Sequence, residues 1–276
     1  MLILNKNQII QHVHLNEELI PIIEEAFVSL SKGSVMMPPI MRIDIEKYHG
    51  ESDIKAAYIE GLDSFAIKIA SGFFDNPKLG LPSSNGLMVL LDSQTGIVKS
   101  VLLDEGYLTD TRTAIAGAIA TKYLSNQNAK TVGIIGAGIQ ARLQLQAIML
   151  VRKINKITIW ARDKIKANQF IDSFKDLEID LYMASSCKEL ASLSEIIVTT
   201  TPSKKPLLEF DWIKKGTHIT AMGSDAEHKN EIDPYMLKYC DQYVPDNQSQ
   251  TSALGELHHA LKQNLISSQE KFNDLG

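Results

Sequence analysis

The stretch Lys130-Thr131-Val132-Gly133-Ile134-Ile135-Gly136-Ala137-Gly138-Ile139-Gln140-Ala141 decides how this chain reads. A short apolar run, Val132 to Ile135, ends in Gly136, Gly138 and Ala141, spaced G-x-G-x-x-A. In such a spacing the first glycine allows a tight turn out of a strand and the second lets the backbone approach a pyrophosphate. The small third residue lets the next helix pack close to the sheet. The N–H groups at that helix start face phosphate oxygens. The fingerprint is weak alone. Here an apolar run precedes it, a helical run follows it, and a second β-like run, Lys156 to Trp160, arrives at βαβ distance. The plainer alternative is a glycine-rich strand–helix turn that binds nothing.

The end of that second run bears on which dinucleotide fits. A carboxylate there bonds the ribose 2′-hydroxyl of NAD. This chain has Ala161 followed by Arg162. A neutral residue and then a guanidinium suit a 2′-phosphate, because arginine forms paired charge-assisted bonds to it. The expected cofactor is therefore NADP(H), with NAD(H) left open because Asp163 lies only two places beyond Ala161. A solvated surface charge is the other reading of Arg162.

Length and composition bound the rest. A chain of 276 residues is long enough for two domains. Its 44% apolar and 22% charged residues are ordinary for a globular protein. A net charge of −5 gives no global field toward nucleic acid or an anionic membrane, so neither is an expected partner. Two cysteines, Cys187 and Cys240, without C-x-x-C spacing, fit a reducing cytoplasm. There is no basic segment followed by a long apolar stretch at the start, and no apolar run long enough to span a bilayer. The histidine pairs His12/His14 and His258/His259 lack any ligand pattern, so no metal is expected.

Periodicity organises the chain in two parts. Asn16 to Gly33 has the spacing of an amphipathic helix. Short β-like runs follow at Pro39–Ile45, Ile54–Glu60, Ser64–Ser71, Gly86–Leu91 and Ile97–Asp104, with a turn at Asp92–Gly96. They predict an antiparallel meander with a helix on one side. Leu108 to Leu124 reads as a bridging helix. Strands and helices then alternate, with strands expected at Thr131–Ile135, Lys156–Trp160, Leu181–Ala184, Glu195–Thr200, His218–Met222 and Gln242–Val244. Helices are expected at Ile139–Arg152, Lys164–Phe174 and Leu254–Leu265. That alternation predicts a doubly wound parallel sheet. The boundary falls near 117 to 130, dividing the chain into 1–118 and 119–276. No internal repeat or low-complexity tract is visible.

Six motifs carry a resemblance to a known family. They are Leu81-Pro82-Ser83-Ser84-Asn85-Gly86, Leu90-Leu91-Asp92, Thr95-Gly96, Leu108-Thr109-Asp110-Thr111-Arg112-Thr113-Ala114, Ala120-Thr121-Lys122-Tyr123-Leu124 and Gly223-Ser224-Asp225. With the glycine fingerprint they span most of the chain in order. The sequence resembles the ornithine cyclodeaminase and mu-crystallin family. The resemblance implies an α/β fold: a Rossmann doubly wound sheet plus a smaller α+β domain for substrate binding and dimerisation. It also implies a homodimer whose small domains pair. Family members run some tens of residues longer, with the extra segment returning to the small domain. The resemblance therefore implies either a sequence cut short after Gly276 or a chain without that closing element.

Family members act at the α-carbon of amino or imino acids with bound nicotinamide. That chemistry asks for a carboxylate clamp, a proton donor or acceptor near the nitrogen, and a held hydride source. The family positions fall on Arg42, Lys68, Arg112 and Asp225. Arg42, in an apolar neighbourhood, and Arg112 are implied to grip the substrate carboxylate with Lys68, although composition equally allows both to be surface or ion-pair residues. Lys68, flanked by Ile67 and Ile69, is a candidate for burial, a lowered pKa and a share in proton transfer; its alternation equally allows a solvated face. Asp225 is implied to partner the substrate nitrogen, and it also suits a helix N-cap. Cofactor contacts are implied for Arg112 and Thr113, for Gly136, Gly138, Ile139 and Gln140, and for Ala161 and Arg162. Thr200 and Thr201 join them as groove residues, although a Thr-Pro turn explains that segment nearly as well.

The implied reaction is NAD(P)H-dependent reduction of a cyclic α-imino acid, Δ1-pyrroline-2-carboxylate or Δ1-piperideine-2-carboxylate, to proline or pipecolate. The alternatives are an NAD-dependent ornithine cyclodeaminase, an alanine-dehydrogenase-like enzyme, and an NADPH-binding protein without turnover. The Ala161-Arg162 pair favours the reductase, because a net reduction benefits from NADPH whereas a cyclodeaminase recycles its NAD.

Overall fold

The computed structural model describes residues 1–276. The chain forms two compact units. The first holds Met1–Leu15, Glu24–Arg112 and Gly276, and the second holds Asn16–Ile23 and Thr113–Leu275. The division thus falls inside a helix, between Arg112 and Thr113, rather than after residue 118. Burial explains the place: from Ala114 onward the helix carries fully buried Ala114, Ile115 and Ala118.

In the first unit come β1 (Leu2–Asn5), α1 (Lys6–Ile10), α2 (Leu19–Ser31), β2 (Val35–Met36), β3 (Met41–Ile45), β4 (Gly50–Ile59), β5 (Ser64–Phe73), β6 (Ser84–Asp92) and β7 (Val98–Leu103). The first turn of α2 groups with the second unit. The strands form one sheet in the order β1-β7-β6-β5-β4-β2, and β3 also pairs with β4. The meander β3 to β7 is antiparallel, as alternation predicts. The edge strand β1 was not expected, and it runs parallel to β7. Helix α3 (Tyr107–Leu124) follows.

The second unit continues with β8 (Thr131–Ile135), α4 (Ile139–Val151), β9 (Lys156–Trp160), α5 (Lys164–Asp172), β10 (Asp180–Met183), α6 (Cys187–Leu193) and β11 (Ile196–Thr199). Then come β12 (Lys204–Leu208), β13 (His218–Ala221), β14 (Asn230–Ile232), α7 (Tyr235–Tyr239), α8 (Gln248–Leu254) and α9 (Glu256–Lys262). The main sheet is all-parallel in the order β10-β9-β8-β11-β13. Side-chain alternation sends Val132, Ile134, Ile157, Ile159, Ile196 and Val198 to one face, against Leu145, Ile148 and Phe170. Ile135 and Ile197 go to the other, against Leu190 and Leu257. Both faces are covered, the state a parallel sheet requires.

Two expectations fail here. Gln242–Val244 is not a strand. Tyr243 instead packs edge-on against Phe272, ring centroids 5.0 Å apart. The helix expected over Leu254–Leu265 breaks at Gly255, which ends α8 and begins α9.

Candidate active site

The second unit presents its loops at the carboxyl ends of β8, β11 and β13. Sheet order reverses between β8 and β11, because β9 lies on one side of β8 and β11 on the other. Such a switch point is where open α/β sheets bind ligands. Gly136 leaves β8 with φ +115°, open to glycine and strained for any other residue. A Cβ there would stand 2.5 Å from Thr200 Oγ1. The Thr200 N–H and hydroxyl both donate to the Ile135 carbonyl, at 2.9 and 3.2 Å, closing the two loops on each other. Gly138 begins α4 without a side-chain cap, and a Cβ on it would meet open space within 4 Å. A helix start with uncapped N–H groups beside a glycine with open space is a fitting cradle for a dinucleotide pyrophosphate. Ile139 and Gln140 open that helix, and Ile139 is exposed.

At the end of β9, Ala161 is half-buried and Arg162 exposed. The Asp163 carboxylate is occupied as the N-cap of α5, accepting from the N–H groups of Ile165 at 2.9 Å and Lys166 at 3.3 Å. No helix begins at Asp225. Its side chain is exposed and forms an ion pair with Lys229, whose own side chain is only 6% exposed. Lys229 was not singled out from sequence, nor was Glu231. The Glu231 carboxylate is fully buried, and burial pushes its pKa up to about 7 against the pull of several hydrogen bonds.

The first unit gathers the cationic candidates. Strand register places Arg42 opposite Asp53 and Lys55 opposite Lys68, and alternation turns all four to one sheet face. Burial, with the nearby charges of Arg112 and Lys55, lowers the Lys68 pKa to about 7, while Asp53 and Asp104 act the other way. Arg42 is not in the apolar surroundings its chain neighbours suggest. Ile43 and Met41 point to the opposite face, and the Arg42 guanidinium meets three carboxylates: Asp44 at 2.9 Å, Glu51, and Asp53 at 3.5 Å. Asp53 was missed by sequence reading. Its Oδ1 is closed off from solvent without a hydrogen bond. It meets Arg42 through the register of β3 against β4, which the sequence alone does not fix. Asp104, only 1% exposed, accepts from the Leu108 N–H at 2.8 Å and anchors the start of α3, the helix that carries Arg112.

The fold and these loops define a dinucleotide-binding α/β protein with a second, charged-faced unit. Residues 1–276 match the ornithine cyclodeaminase/mu-crystallin family, and the chain belongs to it. It is 51% identical over 279 residues to an "Uncharacterized cyclodeaminase y4tK" of Sinorhizobium fredii, covering all of this chain and 84% of that protein. Among solved structures it is similar to Δ1-pyrroline-2-carboxylate reductase of Thermococcus litoralis in complex with NADH and L-proline. There the TM-score is 0.93 at 30% identity, over 100% of this chain and 85% of that one. It is also similar to an archaeal alanine dehydrogenase dimer with bound NAD, with a TM-score of 0.92 at 31% identity over 100% of this chain and 83% of that one. No helix is long and apolar enough to cross a membrane.

Proposed function

We propose that the protein is an NAD(P)H-dependent reductase of a cyclic α-imino acid, taking Δ1-pyrroline-2-carboxylate or Δ1-piperideine-2-carboxylate to L-proline or L-pipecolate. The observation that carries this reading is the exposed Asp225 carboxylate on the loop after β13, which touches the threonine loop after β11. A Cβ on Gly223 would come within 2.2 Å of the Thr201 carbonyl, so the two loops are in direct backbone contact. The likeness to a reductase solved with NADH and proline supports it.

In this reading Arg112 and Lys68 hold the substrate carboxylate, with Arg42 as third cation. Arg42 also orders Glu51 and Asp53 on the shared sheet face. Asp225, paired with Lys229, accepts the N–H of the protonated ring nitrogen and so favours the iminium form. Protonation makes the ring carbon electrophilic, and reduction forms a C–H bond there while the C=N π pair returns to nitrogen. When bound, the reduced nicotinamide supplies that hydride. Gly136, Gly138, Ile139 and Gln140 serve the pyrophosphate, with Thr200 and Thr201 lining the groove. Arg112 and Thr113 also contact the cofactor. Ala161 and Arg162 favour the 2′-phosphate of NADP(H), since Asp163 is committed to capping α5.

Two further properties belong to this reading. The protein is a homodimer paired through the first unit, and it works in the cytoplasm, where Cys187 and Cys240, free of any disulfide, stay reduced. One second reading has support, an ornithine cyclodeaminase, because the 51% identical relative carries a cyclodeaminase name. The test is the nicotinamide absorbance band followed with both cofactors and a panel of cyclic imino acids, pyruvate with ammonia, and ornithine. Loss of NADPH signal with cyclic imines alone supports the reductase. Ammonia released from ornithine with no net change in cofactor supports the second reading and rejects the first.

A further inference from the structure

Beneath the loops that carry Thr200, Thr201 and Asp225 lies a buried carboxylate that no part of the proposed chemistry uses. Glu231 sits in the middle of β14 and is 0% exposed. Its Oε1 accepts from the Thr201 N–H at 2.6 Å and the Thr201 hydroxyl at 2.7 Å. Its Oε2 accepts from the Thr199 hydroxyl and the Gly223 N–H, both at 2.7 Å. One oxygen therefore serves the loop after β11 alone. The other joins the last residue of β11 to the loop after β13.

We propose that Glu231 is a positioning residue of the active site, its carboxylate clamping the threonine loop to the Gly223–Asp225 loop and so fixing Asp225 relative to the cofactor groove. The inference rests on the reductase reading. Three observations converge on it. Gly223 has no room for a side chain: a Cβ would come within 2.2 Å of the Thr201 carbonyl and 2.6 Å of Glu231 Oε2, so the clamp needs glycine there. Glu231 is itself held, because Glu256, the first residue of α9, accepts the Glu231 N–H at 2.7 Å and the Asn230 side-chain amide. Asp225 is tied into the same network, since its partner Lys229 lies two residues before Glu231 and the Lys229 carbonyl accepts from Ser224 Oγ at 2.6 Å.

Chemistry makes glutamate hard to replace here. Both backbone donors, Thr201 N–H and Gly223 N–H, can only donate, and they address different oxygens of one carboxylate. A glutamine must turn its NH₂ toward one of them, which leaves a buried N–H facing another donor. One loop is then released while the side-chain volume is kept.

The test compares wild type with Glu231→Gln. Turnover of a cyclic imine with NADPH is normalised to sites counted by cofactor fluorescence titration, at a temperature below the melting transition of both proteins. A displacement of about 1 Å at the reacting centre costs on the order of a hundredfold in rate, so a loss of about tenfold or more in kcat per cofactor-binding site is expected. An unchanged kcat per site in a less stable variant means a purely structural role and overturns the inference. If Glu231→Gln fails to fold, Thr199→Val removes a single donor and keeps the shape; it should lower kcat per site about two- to fivefold, and wild-type kcat in that variant overturns the clamp. Absence of turnover in the wild type itself overturns the reductase reading and this inference together, an outcome distinct from either variant result.

Discussion

Lys68 combines burial with two cationic neighbours, and this sets its behaviour with pH. Its pKa is lowered to about 7 by burial first and then by Arg112 and Lys55. The group is charged below that value and neutral above it. If its charge helps hold a substrate carboxylate, kcat/KM must fall as pH rises through about 7, because the free enzyme loses the cation there. Lys68→Arg keeps the charge throughout, since a guanidinium does not lose its proton in this range. The expected result is a flattened alkaline limb in the Lys68→Arg pH profile, even if the absolute rate drops; an unchanged limb assigns that titration elsewhere. Arg162 gives a second residue-level prediction. It is exposed, with Asp163 beside it engaged as a helix cap. Arg162→Ala should weaken NADPH about tenfold or more, the worth of one charged hydrogen-bonded contact. NADH should stay within about twofold, because it lacks the 2′-phosphate that Arg162 would meet. Equal loss for both cofactors, measured by fluorescence titration, removes the argument for NADPH.

At the scale of elements, the turn between β8 and α4 is the most constrained backbone in the cradle. Gly136→Ala forces a side chain into φ +115° and 2.5 Å from Thr200 Oγ1. A cost of about 1–3 kcal/mol is expected for the strained backbone, read as a lower melting temperature, together with loss of measurable cofactor binding. Normal binding by this variant would show that the turn does not cradle the pyrophosphate. This turn was legible in sequence because its signal is local: strand, glycine spacing and helix lie within 22 residues, from Lys130 to Val151. The strands Thr131–Ile135 and Lys156–Trp160 were read to the residue for the same reason, as β-branched runs bounded by turns. Other elements were not legible. Pro206 inside Lys204–Leu208 argues against a strand, yet β12 forms as one side of a separate two-stranded sheet with β14. Tyr243 and Val244 look like strand residues, but an aromatic contact with Phe272 takes the place of a ladder. The site divides in the same way. Gly136, Gly138 and Asp225 sit in recognisable motifs. Asp53 gains its partner from strand register, and Glu231 from two separate loops, at Thr201 and at Gly223, and no spacing rule reports such contacts.

Across the whole molecule, the two large sheets differ in how deeply they are buried. The parallel strands β8 and β11 are buried almost throughout. In β4 and β5 only Gly50 is buried, and the other nineteen positions are half-exposed. One face of that sheet is charged, through Arg42, Asp53, Lys55 and Lys68. The opposite face is apolar and includes Ile54, Ile67 and Ile69, with Met41 and Ile43 left 56% and 50% exposed. An apolar sheet face of this kind is suited to pairing with its own copy about a two-fold axis. Ile43→Asp would bury two unpaired carboxylates in such an interface. Light scattering should find a dimer for the wild type and a monomer for the variant. A monomeric wild type, or a variant that stays dimeric, contradicts pairing through this face.

In the proposed reaction a nicotinamide held by the second unit delivers its hydride to the carbon of a protonated cyclic imine. The decisive experiment incubates the protein with Δ1-pyrroline-2-carboxylate and NADPH carrying deuterium at the transferable position of the nicotinamide. Direct hydride transfer gives L-proline with deuterium at its α-carbon, seen by mass spectrometry and located by NMR. Unlabelled product, or no proline formed while ammonia is released from ornithine, would contradict it.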